Sequence, residues 1–200
     1  MRDDVRNATI VMSDGGLPGL VASALVPGTL WLLPSTGTRR RAAAQAQAES
    51  LGIPIIEATP RHQPDEDRAS FADNLRAAAR AALERDTRRV VLPNHAGDDA
   101  DAMYAVDSAV AEVLQGLIAE DDRAEIEFLT PLLDLTVHQV AELAADLNIT
   151  PELCWWTPRF ENLCDRADPD EERWLWEGAL ASVQRRNGVS PAALQPLKGP

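Results

Sequence analysis

Met12-Ser13-Asp14-Gly15-Gly16-Leu17-Pro18-Gly19 follows the short apolar run Ala8–Met12 and leads into a second apolar stretch. A strand that ends in paired glycines and enters a helix forms a cradle of backbone amides, the local arrangement that receives phosphate. Pro18 suits a first helical turn but donates no amide. Asp14 sets a carboxylate beside the amides of that helix start, where it competes for them itself. The cradle's shape is therefore written here together with a residue that fills it.

Outward from this loop, short apolar runs alternate with helical patterns, which predicts βα units and a parallel sheet. Strands are expected at about 8–12, 29–33, 53–56, 89–92 and 126–129. Helices are expected at about 18–25, 39–51, from Ser70 to about Leu83, at 102–118, and from Thr136 to about Leu147. Thr136 and Gln139 have capping-box spacing, and Leu135 and Val140 sit as a hydrophobic staple. The expected architecture is a doubly wound five-stranded parallel sheet of order 3-2-1-4-5, formed by residues 1–150. Residues 151–200, rich in tryptophan, are expected to be a helical extension packed on it. In such sheets ligands bind where the strand order reverses, here between the first and fourth strands. That crevice is expected to draw on Asp14–Gly19, Thr36, Gly37, Asn74, His95–Asp99 and Tyr104.

Composition narrows the function. The formal net charge is −13 over 200 residues, and 18 of the 19 basic residues are arginines, Lys198 being the one lysine. Such a balance argues against a nucleic-acid partner, which needs clustered cations. No apolar run approaches the roughly 20 residues of a membrane span, and the acidic N-terminus lacks a signal-peptide layout, so no membrane partner and a cytoplasmic location are expected. Two cysteines, Cys154 and Cys164, make no disulfide framework.

The di-glycine stretch resembles the loop of the PP-loop ATP-pyrophosphatase superfamily, Ser-Gly-Gly-x-Asp-Ser, with Asp14, Gly15, Gly16, Leu17, Pro18 and Gly19 in those places. Further stretches resemble the 7-cyano-7-deazaguanine synthase (QueC) family of queuosine biosynthesis. They are Asp73-Asn74-Leu75 and Asn94-His95-Ala96-Gly97-Asp98-Asp99 leading to Tyr104–Asp107. Thr130-Pro131-Leu132 and Leu135-Thr136-Val137 follow, then Trp155-Trp156-Thr157 and Cys164, Ala167, Asp170, Arg173. The resemblance runs in order over roughly residues 8–186. It implies a Rossmann-like, nucleotide-binding fold and ATP-dependent conversion of a carboxylate to a nitrile through adenylation.

By this resemblance Ser13, Asp14, Gly15, Gly16, Gly19, Gly37 and Asn74 are candidates for cofactor binding, and Asn94, His95, Tyr104 and Asp107 for substrate binding. Arg173, His95 and Asp98 are candidates for catalysis. The departures fall on polar positions: the loop serines and aspartate, an arginine (now Asp73), a lysine (now Val137) and three of four zinc-ligand cysteines. ATP binding is therefore expected to be weak, and zinc is not expected. His95 with Asp98, Asp99 and Asp101 reads either as an acid–base or metal cluster or as a solvated turn. Two functions remain open: a degenerate, non-adenylating pseudoenzyme that binds a small ligand or a partner, and an active ATP-dependent ligase using arginines such as Arg39, Arg40 or Arg61. The resemblance also allows a homodimer.

Overall fold

The computed structural model describes residues 9–26, 29–33, 37–57, 71–120, 125–163 and 170–186. Thr36, Arg61 and Cys164, named above, lie outside them. Strands β1 (Thr9–Met12), β2 (Thr29–Leu33), β3 (Ile55–Glu57), β4 (Arg89–Val91) and β5 (Glu127–Leu129) alternate with helices α1 (Leu17–Leu25), α2 (Thr38–Leu51), α3 (Phe71–Glu84), α4 (Ala100–Glu120) and α5 (Val137–Asp146). Helix α6 (Asp170–Arg186) follows two 3-10 turns at Pro151–Leu153 and Pro158–Phe160. The five strands form one sheet, β3-β2-β1-β4-β5, with every adjacent pair parallel. β1 is buried along its whole length, as a central parallel strand covered on both faces must be.

The sheet separates two apolar layers. On one face Val11, Leu17, Val21, Trp31, Val91 and Val140 pack with Trp155, Trp156 and Trp176. On the other, Ile10, Leu75, Ala78, Ala82, Val90, Leu92 and Val113 bring α3 and α4 onto the strands. Strand alternation explains the division, since Ile10 and Val11 point to opposite faces. α6 joins the first layer by laying Ala179 and Val183 against Ala141 of α5.

The local signals for α5 work as chemistry. Thr136 Oγ1 accepts from the Gln139 amide, and Gln139 Oε1 accepts from the Thr136 amide at 2.8 Å. One expectation needs correction. Ala100–Ala119 of α4 is long and apolar enough to cross a membrane by length and composition, with a mean hydropathy of 1.3. The reading from sequence undercounted it because Asp107 and Glu112 interrupt the run. In this fold Val106, Val113 and Leu117 of that helix are buried on the core side.

Candidate functional site

A cleft of about 290 Å³ opens at the carboxyl ends of β1 and β4. Met12, Asp14, Gly16 and Pro18 line it from the first βα unit, and Pro93, Asn94 and His95 from the segment after β4. α3 adds Phe71 and Asn74, and α6 adds Glu172.

The β1–α1 loop is held from behind. Gly15 has φ +83°, and a Cβ there would stand 2.4 Å from the Arg40 carbonyl oxygen and 2.8 Å from Ala43 Cβ. Only glycine suits both that left-handed backbone and that contact. The small buried face of α2, Ala43, Ala44 and Ala48, permits the approach. Gln47, fully buried in the same helix, donates through Nε2 to the Gly15 carbonyl at 2.9 Å and the Leu153 carbonyl at 3.1 Å. The Trp155 amide donates to the Gly15 carbonyl as well, at 3.0 Å. Gly19 marks a second close approach, where a Cβ would fall 2.5 Å from Ser13 Oγ.

Asp14 occupies the amide end of this loop. Its Oδ1 accepts from the Gly16 amide at 3.0 Å, and its Oδ2 accepts from Arg40 at 2.5 Å. Arg40 donates through its other terminal nitrogen to Glu172 Oε2, also at 2.5 Å. The guanidinium carbon lies 4.1 Å from the centre of the Trp155 ring, a cation–π contact that fixes the fork. Thus Arg40 ties the loop to α6. The Trp155 indole nitrogen is buried without a hydrogen-bond partner, 3.8 Å from where a Cβ on Gly16 would stand.

His95 enters the cleft edge-on to Trp176, with ring centres 5.2 Å apart. Burial lowers its pKa below the ordinary value of 6.5, and the Asp14 carboxylate opposes the shift only in part. The imidazole is therefore neutral at pH 7. Trp176 stacks in turn on Trp156, which meets Trp155 edge-to-face. An aromatic relay thus backs the whole site.

Asp14, Gly16, Asn74, Asn94 and His95 are brought together in the cleft. Ser13, Gly15 and Gly19 form its support, and Gly37 is the N-cap of α2. Four candidates stand elsewhere. Tyr104 is 75% exposed on α4, one turn beyond the loop that carries His95, and Asp98 and Asp107 are exposed as well. Arg173 follows Glu172 on α6 but is not among the lining residues, and it pairs with Glu177 at 2.8 Å and Glu161 at 3.2 Å.

The acid–base or metal reading of the loop after β4 also changes. Asp99 caps α4 by accepting from the Ala102 amide at 3.0 Å, and no group of three or more His, Cys, Asp or Glu converges among the described residues. Cys154 is fully buried, and burial pushes its thiol pKa up, which suits packing rather than metal binding. Glu172, Phe71 and Gln47 were not found from sequence. The signal for Gln47 was a lone amide on the small face of an alanine-rich helix. Glu172 and Phe71 come from chain-distant elements and carry no local signal.

The fold and site define a doubly wound α/β protein with a small cleft at the carboxyl edge of its sheet. No family model matches the chain, and no curated protein matches it. Among solved structures it is similar to the U34-tRNA thiolase NcsA from Methanococcus maripaludis with its 4Fe-4S cluster, at 13% identity and a TM-score of 0.49, over 96% of this chain and 70% of that one.

Proposed function

We propose that this chain is a small-molecule-binding protein, a degenerate relative of the 7-cyano-7-deazaguanine synthases in which ATP-dependent adenylation has been lost. One observation carries the reading: Asp14 sits on the Gly16 amide and on Arg40, the donors a nucleotide phosphate would use. An arriving triphosphate meets a carboxylate already satisfied there, a proline in place of a donor at position 18, and a second carboxylate, Glu172, across the guanidinium. Like charge in a partly dry site opposes binding by far more than in water. Adenylation also needs cationic stabilisation of the departing pyrophosphate. The described lining holds no lysine or arginine.

The test is direct. Purified protein, incubated with ATP, magnesium, a 7-deazaguanine carboxylate and ammonium, is expected to release no pyrophosphate above background. Sustained pyrophosphate release dependent on the carboxylate overturns the reading and makes the chain an active ligase, with His95 as the neutral base at hand.

A further inference from the structure

The cleft's size and charge specify a ligand class. At about 290 Å³ it is at the low end for ligand pockets, with room for a one-ring molecule. Its walls are apolar at Met12, Pro18, Phe71 and Pro93, with the amides of Asn74 and Asn94 between them. The charged groups lining it are two carboxylates, Asp14 and Glu172. Both are held by the two terminal nitrogens of one guanidinium, so they lie side by side. The Arg40 side chain is 15% exposed, whereas those of Asp14 and Glu172 are 38% and 37% exposed. The negative ends therefore face solvent and the positive one is withdrawn under Trp155. Glu172 Oε1 makes no hydrogen bond among the described residues, so an acceptor is left at the cleft wall. His95 is neutral at pH 7 and adds no opposing charge.

We propose that this cleft binds a small planar cation, an amidinium, guanidinium or aryl-ammonium compound, with its charged end between Asp14 and Glu172 and its ring against Phe71 and Pro93. The proposal rests on the reading of the cleft as a small-molecule site and sharpens it to a charge class. A planar N–H donor fork matches the carboxylate geometry. The two lining carboxylates select it over a neutral isostere and repel an anion.

Benzamidine, benzamide and benzoate separate these effects, because they share a ring and differ in charge. Each is titrated into the full chain at pH 7.5 while the Trp176 indole N–H and the His95 ring protons are followed by NMR. Benzamidine is expected to shift both signals saturably, at least about tenfold more tightly than benzamide, with no saturation by benzoate. Glu172→Gln is expected to weaken benzamidine about five- to tenfold and to leave benzamide unchanged. Asp14→Asn with Glu172→Gln removes two carboxylate partners from Arg40 and is expected to reverse the order, benzoate binding better than benzamidine. Equal binding of benzamidine and benzamide overturns the charge assignment while the cleft still counts as a ligand site. Absence of benzamidine saturation up to 20 mM, on the order of the weakest useful fragment affinity, also overturns it. Displacement of benzamidine by micromolar ATP would instead strike at the loss of nucleotide binding.

Discussion

Asp14 and His95 set the chemistry of the site, and each does so through its surroundings. Asp14 is legible in the sequence as a competitor for helix-start amides because that contact spans two residues. Its bond to Arg40 spans 26 residues and its tie through Arg40 to Glu172 a further 132, so no local pattern announces them. His95 offers a pH test. With its pKa lowered in the folded protein, the unfolded chain binds the extra proton first as pH falls. Stability from keeping this imidazole neutral is full above about pH 6.5, the unfolded value, and is lost as pH falls through the lowered folded value. His95→Gln is therefore expected to show a flatter decline of urea midpoint as pH falls below 6.5 than the parent, the carboxylates contributing alike to both. Parallel declines would mean that His95 is not held neutral.

At the scale of elements, the site depends on α2 pressing its small face onto the β1–α1 loop. Gly15→Ala must bring a Cβ into the Arg40 carbonyl and hold a left-handed backbone at φ +83°, so it is expected to destabilise by about 3 kcal/mol or more. Gln47→Leu removes donors to the Gly15 and Leu153 carbonyls but also a buried Oε1 that has no partner. Its expected cost is smaller, about 1–2 kcal/mol. Chemical denaturation of both variants checks the order. A tolerated Gly15→Ala would show that the loop is not packed as described.

The elements themselves were largely readable, for a physical reason. A buried parallel strand such as Thr9–Met12 must be a short apolar run, and the α5 start is fixed by Thr136 and Gln139 three residues apart. What α2 does with Gln47 depends on a tertiary neighbour, Leu153, 106 residues away. Sequence periodicity holds no trace of it. Tyr104 shows the converse, since a matching position along the chain put it in the crevice, whereas the helix turns its side chain to solvent.

Across the whole molecule, α6 completes the cleft. It supplies Glu172 at the wall and Trp176, 1% exposed, behind His95 and Trp156. Trp176→Ala is expected to cost about 3–5 kcal/mol and to let the His95 pKa rise toward its ordinary value as its burial is relieved. A stability loss with an unmoved His95 titration would mean that α6 braces the core without shaping the site.

The central claim is that the nucleotide place is filled by the chain's own carboxylate, and calorimetry tests it most directly. Mg-ATP is titrated into the parent and into Asp14→Ser with Pro18→Asp, which restores a hydroxyl and an acidic residue to the loop. Gly19 is left alone, because a Cβ there would strike Ser13. The account predicts no resolvable heat of binding for the parent at 1 mM nucleotide, a level that detects affinities of about 1 mM or tighter, and a measurable gain for the double variant. Micromolar binding by the parent, with Asp14 in place, would contradict it.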